Sequence, residues 1–368
     1  MACWSVNIPD HRATTMSTSA SQLGLAVGSG APREADGGWV WCRSRDLEGR
    51  HRMYAQILHH IRDVEARTVF PDTLGDDTRV LSDPLEACPL PEENQEYYEL
   101  ISKPTSLQTI TTRVASCEYA EPALFEQDAL QLFYNARKWY GIGTEGYGET
   151  AVLQRLYQQL TRSQAGLHDA LGTRHIRPRA TDIDVVDTQR ADADPTAGFA
   201  SAHYGPLVEP PASVSNGLSP VLIDHAVFKG RRYAPGDWVH LMNPVDPAWP
   251  IVAQIFRVYK RRDIPGDFIS ACWYYRPAQT SHVASRTFYP DEVVKTGVYG
   301  EHAIEDILED VLVLFHDRYP LARPSAPYWN PDGAVYIVAS KYDTSSHGFF
   351  RIKNWSRCVP EAAQHVVT

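Results

Sequence analysis

The sequence is poor in the features that announce chemistry. Its six cysteines, Cys3, Cys42, Cys88, Cys117, Cys272 and Cys358, are scattered, and no two are spaced C-x-x-C. That spacing argues against a zinc or dithiol site and fits thiols kept reduced in the nucleus or cytosol. No apolar run approaches the ~18 residues that a membrane span needs, so an integral membrane protein is not expected. Met1-Ala2-Cys3-Trp4-Ser5 lacks the basic region and apolar core of a secretory signal. G-x-S-x-G is absent, and the adjacent His59-His60 cannot share one helix face as a ligand pair would. With 45 acidic residues, pairs of carboxylates turn up in any scan and discriminate nothing. The residues point away from an enzyme, a resident metal or cofactor, and a small-molecule substrate.

One motif is a decoy. Gly141-Ile142-Gly143-Thr144-Glu145-Gly146 spells G-x-G-x-x-G. A dinucleotide loop would follow a strand and open a helix within a βαβ unit. This one follows a helical stripe that ends near Lys138, so it reads as a loop between two helices.

What is present is organised in two blocks. A chain of 368 residues with 43% hydrophobic content holds two domains of ordinary size plus tails. Residues 1–48, rich in Ser, Gly, Ala and Thr without a sustained period, read as disordered. In residues 49–172 a helical period places Met53, Ile57, Leu58, Ile61 and Val64 on one face. A long irregular stretch follows, broken by Pro71, Gly75, Pro84, Pro89, Pro91 and Pro104, and its length suggests a functional loop. Thr105 with Gln108 predicts a capping box before the stripe Leu107, Ile110 and Val114. Pro122 predicts a helix start ahead of Phe125, Ala129, Leu132, Phe133 and Ala136. Leu153, Leu156, Tyr157, Leu160, Leu167 and Leu171 predict a long last helix, completing a four-helix bundle of undetermined hand.

Residues 173–224 read as a polar linker. From 225 to 360 the pattern changes to strands: Gly236–Leu241, Ile251–Tyr259, Cys272–Pro277, Phe288–Val293, Val311–Phe315, Val335–Val338 and Gly348–Ile352. Their β-branched and aromatic content predicts a small barrel-like mixed sheet. Residues 361–368 form a tail. The expected fold class is therefore multidomain, an all-α bundle followed by a mainly β barrel.

Charge divides along the same line. Residues 49–172 hold 11 basic against 18 acidic residues, a balance of −7, whereas residues 225–360 hold 16 against 14, a balance of +2. An acidic first block suits a basic peptide partner and lacks the clustered positive surface that grips phosphates. Mild acidity is also common in soluble domains. Arg231-Arg232 and Lys260-Arg261-Arg262 offer a weak case for DNA contact or nuclear import, weighed against ordinary solvated loop charges.

Two resemblances rest on these residues. Tyr97-Tyr98-Glu99-Leu100-Ile101-Ser102-Lys103-Pro104, then Leu107, Ile110, Tyr119, Phe125, Asp128 and Phe133-Tyr134-Asn135-Ala136, are similar to the bromodomain pattern over roughly residues 50–171. Bromodomains read acetyl-lysine: an apolar slot takes the neutral acetamide, an Asn amide donates to its carbonyl, and a Tyr hydroxyl holds a bridging water. The resemblance places the shelf at Leu85, with Cys88-Pro89 where Leu-Pro is usual, the water-holding tyrosine at Tyr97 and the gatekeeper near Gly146. The anchor Asn is expected five residues after Asn135, where Tyr140 stands. Gln95-Glu96 also replaces the usual Pro-Asp. The implied slot binds acetyl-lysine weakly, in an altered way or not at all, with Tyr140 expected to be a packing residue of the core or rim.

The second block is similar to the bromo-adjacent homology (BAH) domain over roughly 226–360. Pro250–Phe256, Cys272-Trp273-Tyr274-Tyr275-Arg276-Pro277, Thr280, His282, Phe288-Tyr289, Glu292-Val293, Lys341-Tyr342-Asp343 and Trp355, Cys358-Val359-Pro360-Glu361 carry the likeness. Some members cage methyl-lysine with aromatic faces. Neighbours on a strand face opposite ways, so Trp273 and Tyr275 are expected on one side and Tyr274 on the other. Core packing is expected for at least half of these rings with Tyr289, and no cage is assigned. Together the two resemblances point to RSC-type remodelling subunits of fungi and to polybromo. They imply a non-enzymatic nuclear subunit contacting histones, nucleosomes or partner subunits. The alternative is a free-standing chromatin reader or silencing adaptor. Such subunits carry a second bromodomain that residues 1–48 are too short to hold, which implies a truncated, divergent or mis-started chain.

Overall fold

The computed structural model of the chain describes residues 42, 46–69, 76–162, 220–262, 266–321 and 333–363. The helical block opens with α1 (Leu47–Arg62), whose N-cap Asp46 accepts from the Gly49 N–H at 2.9 Å. It therefore begins inside the stretch read as disordered. Buried Tyr54, Ile57, Leu58 and Ile61 recur at helical spacing and turn one face of α1 inward.

The irregular stretch that follows has structure of its own. β1 (Glu65–Val69) and β2 (Asp76–Val80) form an antiparallel hairpin, a 3₁₀ turn runs Asp83–Leu85, and α2 spans Gln95–Leu100. Period-based reading missed these elements because each is shorter than two helical turns or lies among prolines. α3 (Leu107–Ala115) is capped by Ser106, which accepts from the Thr109 N–H at 3.1 Å, one residue later than the expected Thr105 box.

α4 (Pro122–Tyr140) starts on its proline and runs to Tyr140, with Gly141 at φ 76° ending it. Only a residue without Cβ adopts that backbone readily. Thr144 then caps α5 (Glu145–Leu160). Leu167 and Leu171, expected on this last helix, lie outside the described residues. The bundle core unites Tyr54, Leu85, Leu107, Ile110, Phe125, Phe133, Leu153, Tyr157 and their neighbours. Each fully buried side chain of this size contributes about 1.5–3 kcal/mol.

The β block is a mixed sheet. Its order is β10 (Ile307–Asp310), β6 (Trp238–Leu241), β7 (Ile251–Lys260), β8 (Asp267–Tyr275), β9 (Glu292–Ala303), β12 (Val335–Asp343) and β11 (Leu312–Phe315). β3 (Val221–Ile223) pairs with β7, and β13 (Gly348–Arg351) with β12, so the sheet begins inside the stretch read as linker. β4 (Ala226–Phe228) and β5 (Arg231–Tyr233) make a separate hairpin. β9, β11 and β12 run parallel to one another, and the long central pairs are antiparallel. Both sheet faces are covered. Ala271, Trp273 and Tyr275 enter one core while Cys272 and Tyr274 enter the other, as strand alternation requires.

Candidate functional site: an aromatic slot beside a charged junction

A slot lies between the proline-rich loop and α4. A cavity of about 250 Å³ is lined by Pro84, Leu85, Ala87, Cys88, Pro89, Tyr97, Thr105, Leu132, Asn135, Ala136, Trp139 and Tyr140. The 3₁₀ turn and the loop after it deliver Pro84, Leu85, Ala87, Cys88 and Pro89, α2 delivers Tyr97, Thr105 stands just ahead of α3, and α4 supplies Leu132, Asn135, Ala136, Trp139 and Tyr140. Tyr98 donates to the Pro89 carbonyl at 2.7 Å, and Arg62 grips both carboxylate oxygens of Glu86 at 2.8 and 2.9 Å. These bonds pin the proline-rich loop over the bundle. The Tyr97 ring meets Trp139 edge-on at 5.3 Å. Burial raises the pKa of the Tyr97 hydroxyl, and its contact with the Cys88 thiol raises it further. Burial likewise pushes the Cys88 thiol up. The slot lining contains no ionisable group that is charged near neutral pH.

Asn135 does not replace the missing anchor. Its amide donates to the Lys103 carbonyl at 2.7 Å and accepts from Gln131 at 2.8 Å, so it ties α4 to the loop before α3. At the anchor position stands Tyr140, half-buried, with its ring on Gly146. A Cβ built on Gly146 would lie 2.6 Å from that ring. Gly146 is not among the slot-lining residues; it is the berth that lets Tyr140 fit. The large ring of Tyr140 is accommodated by the missing side chain at Gly146.

Of the decoy motif's glycines, Gly143 meets the β block. The Gly143 N–H donates to the Ala248 carbonyl at 2.8 Å, and a Cβ on Gly143 would strike the Trp249 indole at 2.6 Å. A Cβ on Gly148, two residues past the motif, would likewise lie 2.9 Å from the Ala248 backbone nitrogen. Glycine spacing here serves close docking of two domains, not a phosphate.

Behind this loop the domains are joined by buried charge. Arg155 on α5 pairs with Asp306 at 2.5 Å. His302 faces the same carboxylate at 3.7 Å and accepts from the Trp273 indole N–H at 3.1 Å. Because indole only donates, the His302 proton sits on Nδ1 toward Asp306. A second chain repeats this order. Arg137 on α4 donates to Glu309 at 2.9 Å, His240 contacts Glu309 at 2.9 Å through Nδ1, and Tyr336 meets its Nε2 at 2.9 Å. Arg276 closes it by donating to the Tyr336 hydroxyl at 3.2 Å.

Burial raises the Asp306 and Glu309 carboxyls, but Arg155 with His302, and Arg137 with His240, outweigh it and hold both well below the usual range. Burial lowers the pKa of His240. Around these chains Gln154 and Gln158 donate to the Leu308 and Ile307 carbonyls at 2.8 Å each, so α5 covers edge strand β10. Arg162 pairs with Glu305 at 3.0 Å, and Lys229 of the β block pairs with Glu126 of α4.

The remaining candidates take structural places. Trp273, Tyr274 and Tyr275 are core residues, and Tyr289 is exposed at 57%. They do not converge on one face. Arg231 pairs with Asp310, Lys260 with Asp267 at 3.6 Å and Arg261 with Glu301 at 2.7 Å, so much of the basic pairs' charge is met within the chain. His59 pairs with Asp63 at 3.3 Å. Among the described residues no cluster of His, Cys, Asp or Glu is placed to hold a metal, and no helix is long and apolar enough to cross a membrane.

The junction residues were missed by sequence reading. Gln154, Gln158 and Arg162 recur every four residues opposite the leucine stripe of α5, a pattern indistinguishable from a solvated face until a partner is known.

Comparison with known proteins agrees with this architecture. Residues 68–151 match the bromodomain family model and residues 231–353 match the BAH domain model. The chain thus carries a helical bromodomain followed by a β-rich BAH domain. It is similar to chromatin structure-remodeling complex subunit rsc1 of Schizosaccharomyces pombe, 28% identical over 316 residues, covering 86% of this chain and 33% of that protein. It is 29% identical over 274 residues to subunit RSC1 of Saccharomyces cerevisiae, covering 74% of this chain and 25% of that protein. The chain therefore spans a third or less of the length of these two relatives. The crystal structure of the yeast Rsc2 BAH domain aligns at 36% sequence identity with a TM-score of 0.36, covering 39% of this chain and 59% of that one.

Proposed function

We propose that the chain is a non-enzymatic nuclear subunit of an RSC-type chromatin-remodelling complex, docking histones, nucleosomes or neighbouring subunits through its two modules. The observation that carries this reading is that one alignment with a remodelling-complex subunit spans both modules, over 86% of the chain. The slot fits a peptide partner. Residues 81–102, which frame it, contain Asp83, Glu86, Glu92, Glu93, Glu96 and Glu99 and no lysine or arginine. A charge-free slot inside an acidic frame suits a cationic peptide that inserts an uncharged side chain. With Tyr140 in the anchor position no Asn amide is available to an acetamide carbonyl, so acetylation adds little to binding.

Tagged purification followed by mass spectrometry tests the assignment. Stoichiometric co-elution with a remodelling ATPase is expected. Elution without any ATPase would move the chain to the class of free-standing readers.

A further inference from the structure

Tyr140 belongs to two places at once. One side of its ring lines the slot beside Trp139 and Ala136. It also packs against the small junction cluster of Tyr147, Ala151, Met242 and Leu308, together with Ile142. Met242 and Leu308 come from the β block. The loop that links Tyr140 to its berth at Gly146 is itself clamped by that block, through the Gly143–Ala248 bond and the Trp249 indole against Gly143. Trp249 is held in turn by the Arg276 guanidinium, 5.5 Å above its ring. An unbroken line of contacts therefore runs from the BAH strands, through Met242 and Trp249, to the wall of the bromodomain slot.

We propose that Met242 and Trp249 are specificity-determining residues of the slot: they press Tyr140 into its wall, so the shape offered to an uncharged peptide side chain belongs to both modules. The inference rests on reading the slot as a side-chain site. Its physical content is a coupling between slot and junction, since a ring shared by two packed clusters cannot shift in one without disturbing the other.

The test needs no partner. Cys88 lines the slot, Cys42 and Cys272 are buried in the two module cores, and Cys117 is exposed. Alkylation of the full chain by iodoacetamide, resolved for each cysteine by mass spectrometry, reads all four sites together. In Met242→Ala and Trp249→Ala the Cys88 rate should change by about fivefold or more while the other three keep their wild-type rates. Unchanged Cys88 reactivity in both variants would overturn the proposal. So would a Cys88 change that merely tracks Cys42 and Cys272, because that marks general opening. Failure of the remodelling assignment leaves these rates untouched, so the two ideas fall separately.

Discussion

The slot and the junction share one ring, Tyr140, and are built on opposite principles. The slot is walled by Leu85, Tyr97, Trp139 and Tyr140, with no charged side chain among its lining residues. The junction sets four cations of one module against carboxylates of the other, Arg137, Arg155 and Arg162 from the helical side and Lys229 from the β block. Buried ion pairs are weak sources of net stability, but they tolerate only one geometry, and removing one partner is severe. Directional chemistry in this molecule is thus concentrated on fixing the modules to each other, while the slot relies on shape.

Three experiments break or sharpen that contrast. The largest effect is expected at the junction. Arg155→Ala leaves Asp306 buried beside His302 without its counter-ion and should cost about 3–5 kcal/mol in denaturant unfolding of the full chain, with both modules affected. A loss below about 1 kcal/mol, the range of a surface pair, would show that the junction is dispensable.

The next concerns acid. Asp306 and Glu309 have folded pKa values below their unfolded ones, so their contribution is complete above the carboxylate range, near pH 4, and drains away as pH falls beneath it. Burial raises the pKa of Glu126 and Glu305, so these groups act in the opposite sense at milder acidity. A loss of stability below about pH 4 is therefore expected from Asp306 and Glu309. Glu309→Gln should reduce that loss in a thermal-shift titration, and an unchanged loss would assign it elsewhere.

The smallest effect is expected at the slot. Acetylating a lysine in a basic histone peptide should alter its affinity for the full chain by no more than about threefold, less than the loss or gain of one net hydrogen bond. A strong preference for the acetylated form, read by fluorescence anisotropy, would show that Tyr140 replaces the anchor instead of abolishing it.

Sequence was a good guide wherever periodicity or strand alternation governs burial. The stripes Met53–Ile61 and Phe125–Ala136 mark real helices, with Val64 falling past the end of α1, and Trp273 and Tyr275 do oppose Tyr274. Leu85, Tyr97 and Tyr140, singled out from a family pattern, do line one cavity. What stayed hidden depends on contacts between distant segments. Nothing near Gly146 reveals that it berths Tyr140. No local signal ties Arg155 to Asp306 or Arg137 to Glu309, since residues 151 and 172 positions apart in the chain pair only after folding. Treating residues 49–172 as a free-standing bundle also overlooked that α5 is buried along nearly its whole length, on the side facing β10 as well as toward the bundle core.

The rigid seam has a consequence for avidity. Two binding modules on a flexible tether search for their targets independently, and the tether sets an effective concentration for the second contact. Here the spacing is cast in advance, as in a caliper whose jaws have been locked. A partner whose two footholds match that span would meet both at little entropic cost, and one with any other span would be limited to a single grip.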